Sequence, residues 1–219
     1  DFCLSRGLGD VYKRQGVGGA VATVVAAMAG YGFAKFEFRG RGTAFGLIIA
    51  GLLVPATALA LPLYLIFAKA HLVNTVWAVL LPSCVSPLGV YLARVYAARG
   101  ISNELIDAGR VDGAGELRIF GRIAAPLMRP ALVTIFLFQF VGIWNNFFLP
   151  LVMLNNQRLY PLALGLYTWN QAASSGHATP PFQYAITVTG SLVAVVPLVI
   201  AFILLQRFWA GGLTLGSLD

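Results

Sequence analysis

The sequence predicts an all-α, polytopic bundle of transmembrane helices, and three observations carry that prediction. Its 219 residues are 58% hydrophobic and only 11% charged, whereas a soluble domain carries about a quarter charged residues. A water-soluble fold of this length cannot bury so much apolar surface, so the surplus faces lipid. The apolar residues also fall in unbroken runs of the length a bilayer demands, about 20 residues for a helix. Finally, those runs are apolar throughout, whereas the strands of a membrane barrel alternate polar and apolar residues over about ten positions.

Five runs define five spans. The uncharged segments 16–34, 43–68, 72–93, 130–157 and 185–206 contain 19, 26, 22, 28 and 22 residues. Prolines 55, 62, 82, 87, 150 and 197 lie within or near them. Membrane helices tolerate proline because neighbouring groups re-satisfy the backbone. Abundant Gly and Ala suit close helix packing in lipid. The segment 168–183 is uncharged but polar, with Ser174, Ser175, Gly176, Pro180 and Pro181, and reads as a surface connection.

Residues 1–15 differ from everything after them. The stretch from Asp10 to Gln15 can be written as the translation of a transposase-adaptor end, so 1–15 reads as a non-native scar set apart from the membrane domain, 16–219. On that reading a natural beginning is missing, and a parent with six spans is expected. Cys3 lies in this leader and Cys84 in an apolar run, a pattern that gives neither a disulfide framework nor a metal site.

The net charge of +7 would suggest nucleic acid in a soluble protein, but here the basic residues sit between apolar runs. With the loop after the first span placed in the cytoplasm, the inner segments hold Lys35, Arg39, Arg41, Arg94, Arg99, Arg110, Arg118, Arg122, Arg129 and Arg207. The outer ones hold only Lys69 and Arg158. Positive residues stay inside, so this asymmetry fixes the orientation. Arg39 and Arg41, alternating with glycines, are a topological anchor and not an RNA-binding tract. The first span then runs from outside to inside.

One cytoplasmic segment stands out, 94–129, with four of the eight acids. Residues 101–111 look helical, with Ser102 as N-cap and Glu104 in the first turn, where the helix dipole favours an acid. Asp112, Gly113, Ala114 and Gly115 form a turn. A second helix places Phe120, Ile123, Ala124 and Leu127 at i, i+3, i+4 and i+7, an apolar stripe facing a partner or simply packed on the bundle. Pro126 and Pro130 mark the return to the membrane.

The order Glu104, Asp107, Ala108, Gly109, Asp112, Gly113, Ala114, then Phe120, Ile123, Pro126 and Pro130, resembles the EAA loop of binding-protein-dependent ABC importer permeases. Here the triplet reads Asp107, Ala108, Gly109 in place of Glu-Ala-Ala. Further positions resemble the carbohydrate branch of that family: Phe33, Lys35, Val54, Pro55, Pro62, Tyr64, Asn74, Thr75, Trp144, Asn145 and the glycine-rich ending. The resemblance implies a type I importer fold in the bacterial inner membrane. It also implies a second permease subunit, two cytoplasmic ATP-binding subunits and an external solute-binding protein. The helix at 107–113 would then be the coupling helix, with Asp107 paired to a basic group on the ATPase and the small residues Ala108, Gly109, Gly113 and Ala114 allowing close approach.

No phosphate-binding glycine loop ending in Lys-Ser or Lys-Thr is present, so no ATPase chemistry, cofactor or catalytic set is expected in this chain. His71 and His177 lie in predicted loops without an acid or Cys beside them. No acid or base lies deep in a span, which favours energy supplied from outside the membrane domain, since ion-driven transporters carry such groups on their pathway. An ion-gradient-driven secondary transporter is the alternative, and a membrane scaffold or receptor a third reading. For the solute path, Trp144, Asn145, Asn146 and Phe147 set amides beside aromatic rings. Amides match sugar hydroxyls as donors and acceptors, but they also hydrogen-bond between membrane helices. Tyr64, Tyr167 and Trp169 are further candidates.

Overall fold

A computed structural model describes residues 4–174 and 182–213, and among them the regular elements are helices. In chain order they are α1 (Leu4–Lys35), α2 (Arg41–Gly51), α3 (Ala56–Lys69), α4 (Trp77–Ser83), α5 (Pro87–Gly100) and α6 (Asn103–Val111). There follow α7 (Glu116–Ile119), a π-helical turn (Phe120–Ala124), α8 (Ala125–Leu127), α9 (Arg129–Asn145), α10 (Phe148–Met153), α11 (Leu162–Ser174) and α12 (Phe182–Leu213). Cys3, Ser175, Gly176, His177, Pro180 and Pro181 lie outside the described residues, as does the end of the chain from 214.

Three stretches are long and apolar enough to cross a membrane singly: Gln15–Lys35, Trp77–Gly100 and Tyr184–Gln206. The count among the described residues rises to five if two bent pairs are each one span. The second expected run, 43–68, is not one helix: it breaks after Gly51 into α2 and α3, with Pro55 as the N-cap of α3. Proline cannot supply the N–H that would continue α2. The fourth run, 130–157, breaks at Asn146 and Phe147 between α9 and α10. At 17 residues, α9 is about 26 Å long, close to the hydrocarbon thickness. The segment expected as a polar loop from 168 is helical as far as Ser174, because α11 carries its polar residues on a continuous helix. Pro62, Pro82 and Pro197 lie inside helices.

The chain divides into two compact units. One comprises 19–54 and 83–139, with the final helix end. Its core runs without interruption from the apolar helices α1 and α5 into the charged segment that follows: Ala26, Tyr31, Val90, Ala93 and Ala97 join Ile101, Ile106, Ile119, Ala124, Met128 and Ile135. Small residues set the spacing. A Cβ on Gly30 would overlap the Ala93 side chain and lie 2.6 Å from the Arg94 backbone nitrogen, and one on Gly89 would lie 2.9 Å from the Ala26 side chain. Helices α1 and α5 therefore touch backbone to backbone, which only glycine and alanine permit. Between α4 and α5 the helix is interrupted, and Gln139 of α9 donates its Nε2 to the Ser83 carbonyl at 2.8 Å. Gln139→Leu should lower stability by about 1 kcal/mol, read as an earlier thermal transition of the purified protein in detergent; an unchanged transition would show that this bond contributes nothing.

The other unit comprises residues up to 18, 55–82 and 140–204. Phe67, Ala78, Met153 and Leu154 form its buried cluster, with Leu63, Tyr64, Leu72 and Tyr160 around them. Asn74 ties the loop after α3 to the end of α10. Its backbone N–H donates to the Met153 carbonyl at 2.8 Å, and its Oδ1 accepts from the N–H groups of Asn155 and Asn156 at 3.0 and 2.9 Å. The residue holds φ at +61°, a left-handed conformation that Asn adopts more readily than most residues.

Candidate functional site

The charged segment between α5 and α9 folds around α6. Ser102 is its N-cap, accepting from the Leu105 N–H at 3.4 Å. The Glu104 carboxyl is held below the usual carboxylate range, first by its own backbone N–H and then by the Ser102 hydroxyl. A depressed folded value means that this contribution is present above the ordinary carboxylate pKa and lost only as pH falls through the depressed one. At the other end Arg110 donates Nη1 to Asp107 at 3.0 Å and Nε to Glu116 at 2.8 Å. These bonds, that to Glu116 foremost, hold its guanidinium still more firmly protonated. Lys35 Nζ donates to the Ile101 carbonyl and to Asn103 Oδ1, which fastens the end of α1 to the start of α6.

The two faces of the loop differ sharply. Ile106 and Gly109 are buried, and a Cβ on Gly109 would lie 3.1 Å from Ile123 and 3.3 Å from Ile119. Gly109 therefore allows close approach within the chain, not toward a partner as its small size suggested. Ala114 also packs against the core. Glu104, Asp107, Ala108, Asp112 and Gly113 face outward. Gly113 has φ +78°, the left-handed turn that ends α6 and that glycine adopts without steric cost. Sequence reasoning missed the exposed apolar residues of this segment: Val111 is 87% exposed, Leu117 75% and Leu105 41%. Their signal was available, since they are large apolar residues off the buried stripe of a charged loop.

The stripe itself is shifted. Ile119, Ala124 and Met128 are fully buried, whereas Leu127 is 46% exposed. The π-helical turn at Phe120–Ala124 inserts extra arc into the helix, so the i, i+3, i+4, i+7 rule fails across it. Phe120 meets Tyr31 of α1 with ring centroids 5.4 Å apart. The axes of the 116–127 stretch and α9 differ by 83°.

A second feature lies among α9, α11 and α12. Asn145, Phe147, Ala163, Leu166, Tyr167, Asn170, Thr187 and Ser191 line an open cavity of about 360 Å³. The break between α9 and α10 divides the expected amide–aromatic group. Asn145 and Phe147 reach the cavity; Asn146 instead accepts from the Leu149 N–H at 3.3 Å, an N-terminal contact of α10. Trp144 is buried against Phe140, centroids 5.6 Å apart. Phe147 and Tyr167 lie 5.3 Å apart. Of the other aromatics, Tyr64 belongs to the cluster around Phe67, and Trp169 packs where α11 meets Gly190 of α12. Asn170, Thr187 and Ser191 escaped sequence reasoning. Tyr167 and Asn170 stand three apart, Thr187 and Ser191 four apart, each pair on one helix face.

Among the described residues the regular elements are helices, and the segment between α5 and α9 packs its apolar side into the same core as α1 and α5. A bacterial ABC transporter involved in the import of the acidic polysaccharide alginate shares the fold, with a TM-score of 0.74 and 24% identity over 90% of this chain and 74% of that one. Residues 22–211 match the binding-protein-dependent transport system inner membrane component, and the chain belongs to that family. It is a multi-pass component of the inner membrane. It is 39% identical to an arabinooligosaccharide transport permease of Halalkalibacterium halodurans, covering 90% of this chain and 68% of the relative. Its counterpart in Bacillus subtilis is 36% identical, with coverage of 87% and 65%. A lactose transport permease of Rhizobium radiobacter is 32% identical, with coverage of 92% and 70%. The chain thus spans about two thirds of the length of these relatives.

Proposed function

We propose that this chain is one of two permease subunits of an ATP-driven importer for sugar-type solutes. It works with a second permease, two cytoplasmic ATP-binding subunits and an external solute-binding protein. The observation that carries this reading is the two-faced loop. Its inner face belongs to the same core as α1, α5 and α9, while its outer face leaves the large apolar residues Val111 and Leu117 exposed. Closure of the ATP-binding subunits would push the α6 segment 107–113. The push then reaches the spans through Ile106, Ile119 and Met128, because a close-packed interior transmits strain. Glu104, Asp107, Ala108, Asp112 and Gly113 form the docking surface, and Gly109 and Ala114 seat it on the bundle. A photo-crosslinker placed at Leu117 should capture an ATP-binding subunit in native membranes; capture of lipid alone would overturn the proposal.

The cavity serves as part of the solute path. Asn145→Ala is expected to raise the apparent KM for uptake about 5- to 30-fold, the loss of one or two solute hydrogen bonds, with little change in thermal stability. Asn146→Ala should do the reverse, lowering stability by about 1 kcal/mol through loss of the α10 contact while leaving KM near its original value. Uptake kinetics and thermal unfolding of the two variants separate the roles; equal effects on KM would contradict the assignment.

A further inference from the structure

We infer that the α9–α11–α12 cavity is selective for an uncharged, hydroxyl-rich solute and rejects sugar acids and sugar phosphates, an inference that rests on the cavity being part of the solute path. Its polar groups are all neutral and two-sided. Asn145 and Asn170 offer amides, and Tyr167, Thr187 and Ser191 offer hydroxyls. Such groups both donate and accept, as sugar hydroxyls do. Their arrangement leaves them in complementary roles. The Tyr167 oxygen accepts from Gln171 Nε2 at 2.8 Å, so its own proton can be offered to the cavity. Ser191 donates to the Thr187 carbonyl at 2.8 Å, so its oxygen can accept.

The tilted Phe147–Tyr167 pair, 31° between planes, provides apolar faces for the C–H side of a sugar ring. At about 360 Å³ the space is at the small end of ligand pockets, which range over about 300–1,000 Å³. It suits one or two rings at a time rather than a folded chain. Among the described residues that line it there is no Asp, Glu, Lys, Arg or His. A carboxylate or phosphate that gives up part of its hydration against these groups gains no counter-charge from them, whereas a neutral hydroxyl exchanges water for matching donors and acceptors at much smaller cost.

The test uses the complete transporter in membrane vesicles. The chain carries Ser191→Cys together with Cys3→Ser and Cys84→Ser, and alkylation by N-ethylmaleimide is followed by mass spectrometry. Lactose and raffinose are the neutral probes; lactobionate and glucose 6-phosphate are the anions. Both neutral sugars should slow alkylation, and the anions should protect about tenfold less well or worse. Equal protection by lactose and lactobionate would overturn the selectivity while leaving the solute path in place. Alkylation that no sugar slows, or a cysteine that never reacts, would overturn the selectivity and the path reading together. Assembly of the variant, checked by co-purification of its partner subunits, separates these outcomes from misfolding.

Discussion

Val111→Lys is expected to leave the chain folded in the membrane and to weaken its hold on the ATP-binding subunit by about 30- to 900-fold. Val111 is 87% exposed at the end of α6, so the chain itself loses almost no packing. Substitutions at such sites usually stay within about 0.5 kcal/mol, and a cation at a helix C-terminus is favoured by the dipole. The penalty falls on the interface, where a buried unpaired charge replaces an apolar contact. Losses of about 2–4 kcal/mol are usual for the central residues of an interface. Co-purification of the ATP-binding subunit and solute uptake should both collapse while the amount of inserted chain stays constant. Full retention of the subunit would remove α6 from the docking surface. Gly113→Lys is a less direct probe of the same surface. Its φ of +78° strains any side chain by about 1–2 kcal/mol, so it disturbs the turn as well as the partner.

Gly30→Ala is expected to be the most damaging small substitution inside the bundle. The added methyl would overlap Ala93 and lie 2.6 Å from the Arg94 backbone nitrogen, where no flexible side chain can move aside. Overpacking of this kind costs about 1–3 kcal/mol and sometimes more, and here the backbone of α5 must shift to relieve it. Because the α1–α5 contact shares its core with the loop, coupling should suffer with stability. Gly32→Ala is the control: a Cβ there meets nothing within 4 Å, and removing a glycine from a helix gains up to about 1 kcal/mol. Thermal unfolding and membrane abundance of the two variants should therefore move in opposite directions. Similar behaviour would show that the α1–α5 spacing is not set by Gly30.

The features legible in the sequence were those set by local chemistry. The Ser102 cap, the turn at Gly113 and the apolar length of the spans each follow from a few neighbouring residues. What was not legible depends on geometry that residue spacing cannot carry. The exposure of Leu127 came from a π-helical turn, which breaks the 3.6-residue period that any helical stripe assumes. Gly109 was read as room for a partner because a small residue announces closeness without saying to what; Ile119 and Ile123 occupy that room. Asn145 and Asn146 look alike in sequence, and only the break before α10 sends one to the cavity and the other to a backbone N–H. Thr187 and Ser191 join Asn145 at the cavity from more than 40 positions along the chain, a proximity no single run of sequence records.

The most direct test of the central claim is the energy source of uptake by the reconstituted transporter, with solute and binding protein on one side and ATP on the other. The account predicts that uptake requires ATP, persists when ionophores collapse every ion gradient, and is lost with Val111→Lys. Uptake that proceeds without ATP and follows an imposed ion gradient would contradict it.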